Sequence, residues 1–194
     1  MGAVIEVQQV AVIGSDERGS RVALAASLAG CTVRLQDPDP AALDRAQASI
    51  RNAVEAALAA GRIGPADKQR ALDGILSTTD LEEAVTHADL VVEAAARRLP
   101  ERRSLFMTLG QACRATALLA TVDGAPDDLI DWLPQPGRLL GLDVPDASRD
   151  GPVRIRVGVE TSDDAVRIAE RFAARLGLPA RVVSARGDSE ADPR

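Results

Sequence analysis

The apolar run Val10-Ala11-Val12-Ile13-Gly14 leads straight into a helical pattern through Ser15-Asp16-Glu17-Arg18-Gly19. A strand, a glycine turn and a helix at this spacing resemble the phosphate-binding loop G-x-G-x-x-G. In that loop the first glycine turns the chain and the second lets the backbone approach a pyrophosphate. The third lets the helix pack closely on its strand. Gly14 and Gly19 hold the outer positions, and Asp16 holds the middle one. A carboxylate 4 Å from a phosphate oxygen costs roughly 4 kcal/mol at an effective dielectric of about 20, and less where water enters. Asp16 has a second course open to it: it can turn away and cap the helix, with Glu17, Arg18 and Gly19 as the first turn. Arg18 or Arg21 would then offset part of its charge.

A chain of 194 residues is long enough for one complete α/β domain and short for two. Phe106, Phe172 and Trp132 are its only aromatic residues, so Ala, Leu and Val must fill the core. With no stacking platform and a formal charge of −6, a nucleic-acid partner is not expected. Met1 to Glu6 lacks a basic and apolar leader, and no apolar run is long enough to span a bilayer, so no membrane partner is expected either. Cys31 and Cys113 lack metal-ligand spacing and read as buried, unbridged thiols of a cytoplasmic protein.

Strand and helix signals alternate along the whole chain. Strands are expected at Gln8 to Gly14, Cys31 to Gln36, Ile75 to Thr78, Leu90 to Ala94, Ala117 to Val122, Leu139 to Leu142, Val153 to Val159 and Arg181 to Val183. Helices are expected at Arg18 to Leu28, Leu81 to Thr86, Pro100 to about Cys113, around Asp127 to Trp132, and at Asp163 to Leu176. Pro40 to about Ala60 and Pro65 to Leu72 read as a helical hairpin inserted after the second strand. The expectation is an α/β, Rossmann-like fold: a doubly wound, mostly parallel sheet with that hairpin added. Residues 1–183 form the domain in this reading, and 184–194 a frayed tail.

Asp37 lies at the end of the second strand, 23 residues after Gly14. An acid there hydrogen-bonds an adenosine ribose 2′-OH and disfavours a 2′-phosphate, which points to NAD and away from NADP. The plain alternative is a turn, Asp37-Pro38-Asp39-Pro40, with a helix cap. His87, the only histidine, falls at the amino end of the fourth strand, away from the edge where ligands gather. No metal site can be assembled from the cysteines and one histidine. Glu93 ends the fourth strand on the ligand side, with an ion pair to Arg97, Arg98 or Arg102 as its structural alternative. Asp123 and Gly124 follow the fifth strand, and Asp143 and Asp146 follow the sixth. With Asp37 these acids form one acidic mouth, which would repel an acyl-CoA. Arg154 and Arg156 alternate with Val153, Ile155 and Val157 and so share one strand face, as an exposed polar strand or an anion site.

Taken together, Val10 to Gly14, Leu35 to Pro40, the helical hairpin, Ser77-Thr78-Thr79-Asp80-Leu81 and Ala88-Asp89-Leu90-Val91-Val92-Glu93-Ala94 resemble the nucleotide-binding domain of the 3-hydroxyacyl-CoA dehydrogenases. Leu119-Ala120-Thr121 and Thr161-Ser162-Asp163 extend the resemblance, which runs from about Val10 to Val183. It implies an NAD-binding domain that supports oxidation of a 3-hydroxyacyl thioester, with Gly14, Asp16, Gly19, Asp37 and Glu93 at the cofactor. The family's chemical residues do not carry over. Its middle loop glycine is Asp16, and its Asn-Thr-Ser-Ser stretch falls on Val122-Asp123-Gly124-Ala125. Its catalytic histidine falls on Asp143, the glutamate orienting that histidine near Arg154, and a further site glutamate near Arg97. The helical domain that follows in the family would begin where this chain ends.

Three functions remain open on these residues. One is a degenerate dehydrogenase-like domain that acts by binding, with NAD bound weakly or not at all, or with a protein partner. Another is an enzyme with rearranged chemistry on a small acyl or polyketide-like substrate, using Asp123, Asp143 or Asp146. The third is an NAD-dependent dehydrogenase completed by a second polypeptide. The apolar stripe Ala165, Val166, Ile168, Ala169, Phe172, Ala173 and Leu176 adds an expectation of a homodimer, if part of it stays uncovered.

Overall fold

The computed structural model describes residues 6–95, 98–145 and 151–184. Its elements follow the alternation of the sequence: β1 (Gln9–Ile13), α1 (Glu17–Leu28), β2 (Thr32–Gln36), α2 (Pro40–Ala59), α3 (Pro65–Asp73), β3 (Ile75–Thr78), α4 (Leu81–Val85) and β4 (Leu90–Glu93). Then come α5 (Leu99–Ala112), β5 (Leu118–Thr121), β6 (Leu139–Asp143), β7 (Val153–Val157), α6 (Asp163–Arg175) and β8 (Ala180–Ser184). Between β5 and β6 the expected short helix is instead a series of one-turn 3-10 segments, Pro126–Asp128, Ile130–Trp132 and Pro136–Arg138. Pro126, Pro134 and Pro136, with Gly124 and Gly137, interrupt any longer helix there.

One eight-stranded sheet carries the order β3-β2-β1-β4-β5-β6-β7-β8, parallel throughout except where β6 meets β7. The order reverses between β1 and β4, which is where a doubly wound sheet opens a crevice beyond its carboxyl edge. Helices cover both faces, and β1 shows why its sequence is apolar without interruption. Val10 and Val12 join the core under α1, α2 and α6, whereas Ala11 and Ile13 join the core under α4 and α5. The two phenylalanines divide in the same way, Phe172 to the first core and Phe106 to the second.

The inserted hairpin forms because α2 begins at Pro40, is capped by Asp39 through Ala41 N–H at 2.9 Å, and buries Leu43, Ala46, Ile50 and Val54 along one face. That stripe packs beside α1. On α6, Ala165, Ala169, Phe172 and Ala173 are buried in the core against the sheet, with Ile168 and Leu176 packed around them. The stripe named as a surface for self-association is thus turned largely inward. Ser184, read as the start of a tail, pairs with Val157 as the last residue of β8, and residues 185–194 lie outside the described part.

Candidate functional site

Residue register brings a row of side chains to the carboxyl edge: Gln36, Ile13, Glu93, Thr121, Gly141 and Arg156 are successive partners across six strands. Above this row stand the loop after β1 and the residues that follow β4, β5 and β6. Gly14 and Gly19 are both required by packing alone. Gly14 has φ +103°, and a Cβ there would lie 2.6 Å from the Ala95 backbone. A Cβ on Gly19 would lie 1.9 Å from the Gly14 carbonyl oxygen. The outer glycines of the loop therefore answer to the strand–helix junction whether or not a ligand is present.

Asp16 takes the second course open to it. It is the N-cap of α1, and its Oδ1 accepts the N–H groups of Arg18 at 3.0 Å and Gly19 at 3.1 Å. Those first-turn N–H groups are the donors that an anion at a helix N-terminus would use. In this structure a carboxylate of the chain itself occupies two of those donors. Asp37 is also engaged: its Oδ2 accepts from Ser15 N–H at 3.1 Å and Ser15 Oγ at 2.8 Å, and its Oδ1 accepts from Asp39 N–H at 3.1 Å. It remains half-exposed beside the loop, at the position expected for a ribose acid.

Among the described residues, arginines stand beside the acids of the expected mouth: Arg18 meets Asp123, and Arg156 feels both Asp143 and Asp123. Arg18 lies 3.6 Å from Asp16 and 3.3 Å from Asp123. Burial alone would push the Asp123 carboxyl up, but the hydrogen bond and charge of Arg18 outweigh it and hold it below its ordinary value. Arg156 donates to the Thr121 carbonyl at 3.1 Å. Burial pulls its guanidinium down from its usual value, against the attraction of Asp143 and Asp123. Asp143 is half-buried and sits opposite Arg154 in the antiparallel register, with Arg154 exposed. Asp146 and Arg97 lie outside the described residues.

Glu93 is placed differently from its expected cofactor role. It is fully buried, with Oε2 3.3 Å from Arg102 Nε and accepting from Thr121 Oγ1 at 2.8 Å. Arg102 also donates to Thr121 Oγ1 at 2.7 Å and to the Asp123 carbonyl. This cluster fixes the loop after β5 from below and so aims Asp123 at Arg18. Arg18 and Arg102 are among the arginines that the sequence offered as partners of Asp16 and Glu93; what it did not offer is the reach of Arg18 to Asp123. His87 is exposed at the amino edge, and its carbonyl accepts from Arg114 at 2.7 Å. Among the described residues no group of His, Cys, Asp and Glu could hold a metal ion, and no described helix is long and apolar enough to cross a membrane.

Strand order, with its reversal between β1 and β4, and the inserted hairpin define a Rossmann-type α/β domain. Residues 9–185 match the model of the family described as 3-hydroxyacyl-CoA dehydrogenase, NAD binding domain, and the chain belongs to that family. It is 36% identical over 118 residues to 3-hydroxyadipyl-CoA dehydrogenase of Escherichia coli, covering 61% of this chain and 25% of that protein. A probable 3-hydroxybutyryl-CoA dehydrogenase of Bacillus subtilis is 29% identical over 117 residues, covering 60% of this chain and 40% of that one. The fold is similar to that of 3-hydroxybutyryl-CoA dehydrogenase from Escherichia coli, with a TM-score of 0.88, 28% identity, and coverage of 93% of this chain and 39% of the other. It is also similar to a 3-hydroxyacyl-CoA dehydrogenase of Archaeoglobus fulgidus, with a TM-score of 0.75, 26% identity, and coverage of 95% and 58%. These matches thus span from a quarter to under two thirds of the relatives' own lengths.

Proposed function

We propose that this chain is a 3-hydroxyacyl-CoA dehydrogenase-like domain that does not run the ordinary dehydrogenation and acts by binding, either NAD weakly or a partner protein. The observation that carries this reading is Asp16 hydrogen-bonded to the first turn of α1, where the family's fold offers its donors to pyrophosphate. Asp143 adds to it. In the position that the resemblance gives to a histidine base, a carboxylate is a weaker proton acceptor than an imidazole. Arg154, opposite Asp143, cannot accept a proton as the family's glutamate does.

Two measurements test this. With NAD and saturating 3-hydroxybutyryl-CoA, no NADH formation is expected; turnover near about 1 s⁻¹, within the usual enzyme range, overturns the reading. Calorimetric titration is expected to give weak NAD binding and weaker NADP binding, because Asp37 disfavours a 2′-phosphate. Micromolar NADP affinity would sink the assignment of Asp37.

A second reading is an NAD-dependent dehydrogenase completed by another polypeptide, which the intact strand order at the switch point allows. A homodimer or a separate protein partner fits either reading. Light scattering after size exclusion at two concentrations separates them: a mass near 20.3 kDa throughout rejects stable self-association.

A further inference from the structure

We propose that the Asp16–Arg18–Asp123 bridge is an autoinhibitory contact, which closes the pyrophosphate position to dinucleotides and holds Arg18 in reserve as a phosphate ligand. The proposal rests on the reading that NAD binds weakly, and it names the groups responsible. Asp16 Oδ1 takes two first-turn N–H donors, and its Oδ2 lies 3.6 Å from Arg18. Arg18 also reaches Asp123 at 3.3 Å, so one guanidinium is shared between two carboxylates from opposite sides of the switch point.

Three features make the closure effective. The Asp16 cap has extended backbone angles, φ −66° and ψ −174°, so no strain drives it open. The carboxylate is tethered to the donors it occupies, and an incoming anion must compete with an intramolecular group at high effective concentration. Asp123 is held from beneath, because Arg102, buried against Glu93 and Thr121, donates to the Asp123 carbonyl. The three ionic groups carry a net charge of −1, which opposes a pyrophosphate. Neutralising one carboxylate brings the group to zero, and neutralising both leaves the charge of Arg18 uncompensated. Each ion pair is partly exposed and weak by itself, so the closure depends on the whole set.

Inorganic pyrophosphate and NAD are the probes, titrated calorimetrically into the full chain at low ionic strength. Asp16→Asn keeps a capping oxygen while removing the charge. Asp123→Asn changes a carboxylate that is mostly exposed, and it carries the test alone if substitution at Asp16 unfolds the chain. Each single variant is expected to bind pyrophosphate several-fold more tightly than the wild type, and the double variant at least tenfold more tightly. Adding Arg18→Met to either background is expected to remove the gain. Affinities that do not rise in the asparagine variants, or a gain that survives Arg18→Met, overturn the proposal. Tight NAD binding by the wild type defeats instead the weak-binding reading, so the two failures are distinguishable.

Discussion

Arg18, on the first turn of α1, and Asp123, just beyond β5, lie 3.3 Å apart across the carboxyl edge of the sheet. The contact crosses the place where strand order reverses, between elements far apart in the chain. Its strength depends on the ionisation of Asp123, since arginine stays charged at any ordinary pH.

That dependence sets a pH signature. Interaction with Arg18 depresses the folded-state pKa of Asp123, so its contribution is present above the unfolded carboxylate value of about 3.9 and is lost as pH falls through the depressed folded value. Thermal melts of wild type and Asp123→Asn are expected to differ at pH 7 and to converge as pH falls through and below the ordinary carboxylate range. A difference that persists unchanged into strong acid contradicts an ionic contact.

The buried pair Glu93–Arg102 should respond non-additively. Arg102→Met leaves a charge in the core with one partner gone, a loss of about 3–5 kcal/mol in pairs of this kind. Glu93→Leu strands the guanidinium in the same way. The double variant is expected to be more stable than either single one, because no charge is then left buried. Urea denaturation of the three variants measures this, and additive losses would mean that the pair is not a unit.

Loop substitutions should separate packing from ligand chemistry. Gly19→Ala forces a methyl to within 1.9 Å of the Gly14 carbonyl and is expected to cost about 1–3 kcal/mol with no ligand present. Asp16→Gly changes a cap and a partly exposed ion pair, where glycine is tolerated at the cap to within roughly a few tenths of a kcal/mol and the pair adds little. Denaturation midpoints in the absence of any nucleotide test the contrast; equal losses would show that the Gly19–Gly14 approach is relaxed in solution.

Both thiols should resist modification in the folded chain. Burial pushes the Cys113 thiol up to about 11 and raises Cys31 as well, so neither is a thiolate at pH 8. Ellman's reagent is expected to react slowly with the native protein and at once in denaturant. Rapid labelling of the native form would place one thiol at the surface.

Asp16 shows how far local pattern reaches. A capping residue and its two N–H donors lie within three positions of one another, so the cap could be read as one of two alternatives from sequence. The strand–helix alternation was legible for the same reason: β1, α2 and β4 each carry their period, their punctuation and their burial within a few residues. The break between Asp127 and Trp132 was less legible, since a 3-10 turn and a short helix share one local pattern.

What the sequence determined by itself is the architecture and the family: apolar periodicity, Gly and Pro placement, and loop spacing are local quantities that accumulate along the chain. Only the tertiary structure decided the chemistry of the crevice. Whether Glu93 faces a ligand or Arg102, and whether the acids stand together or are separated by Arg18 and Arg156, depends on which strands become neighbours and in what register. Charges interact through space with a strength set by distance and burial, and neither quantity exists for Arg18 and Asp123 until the sheet has brought β1 and β5 to the two sides of β4.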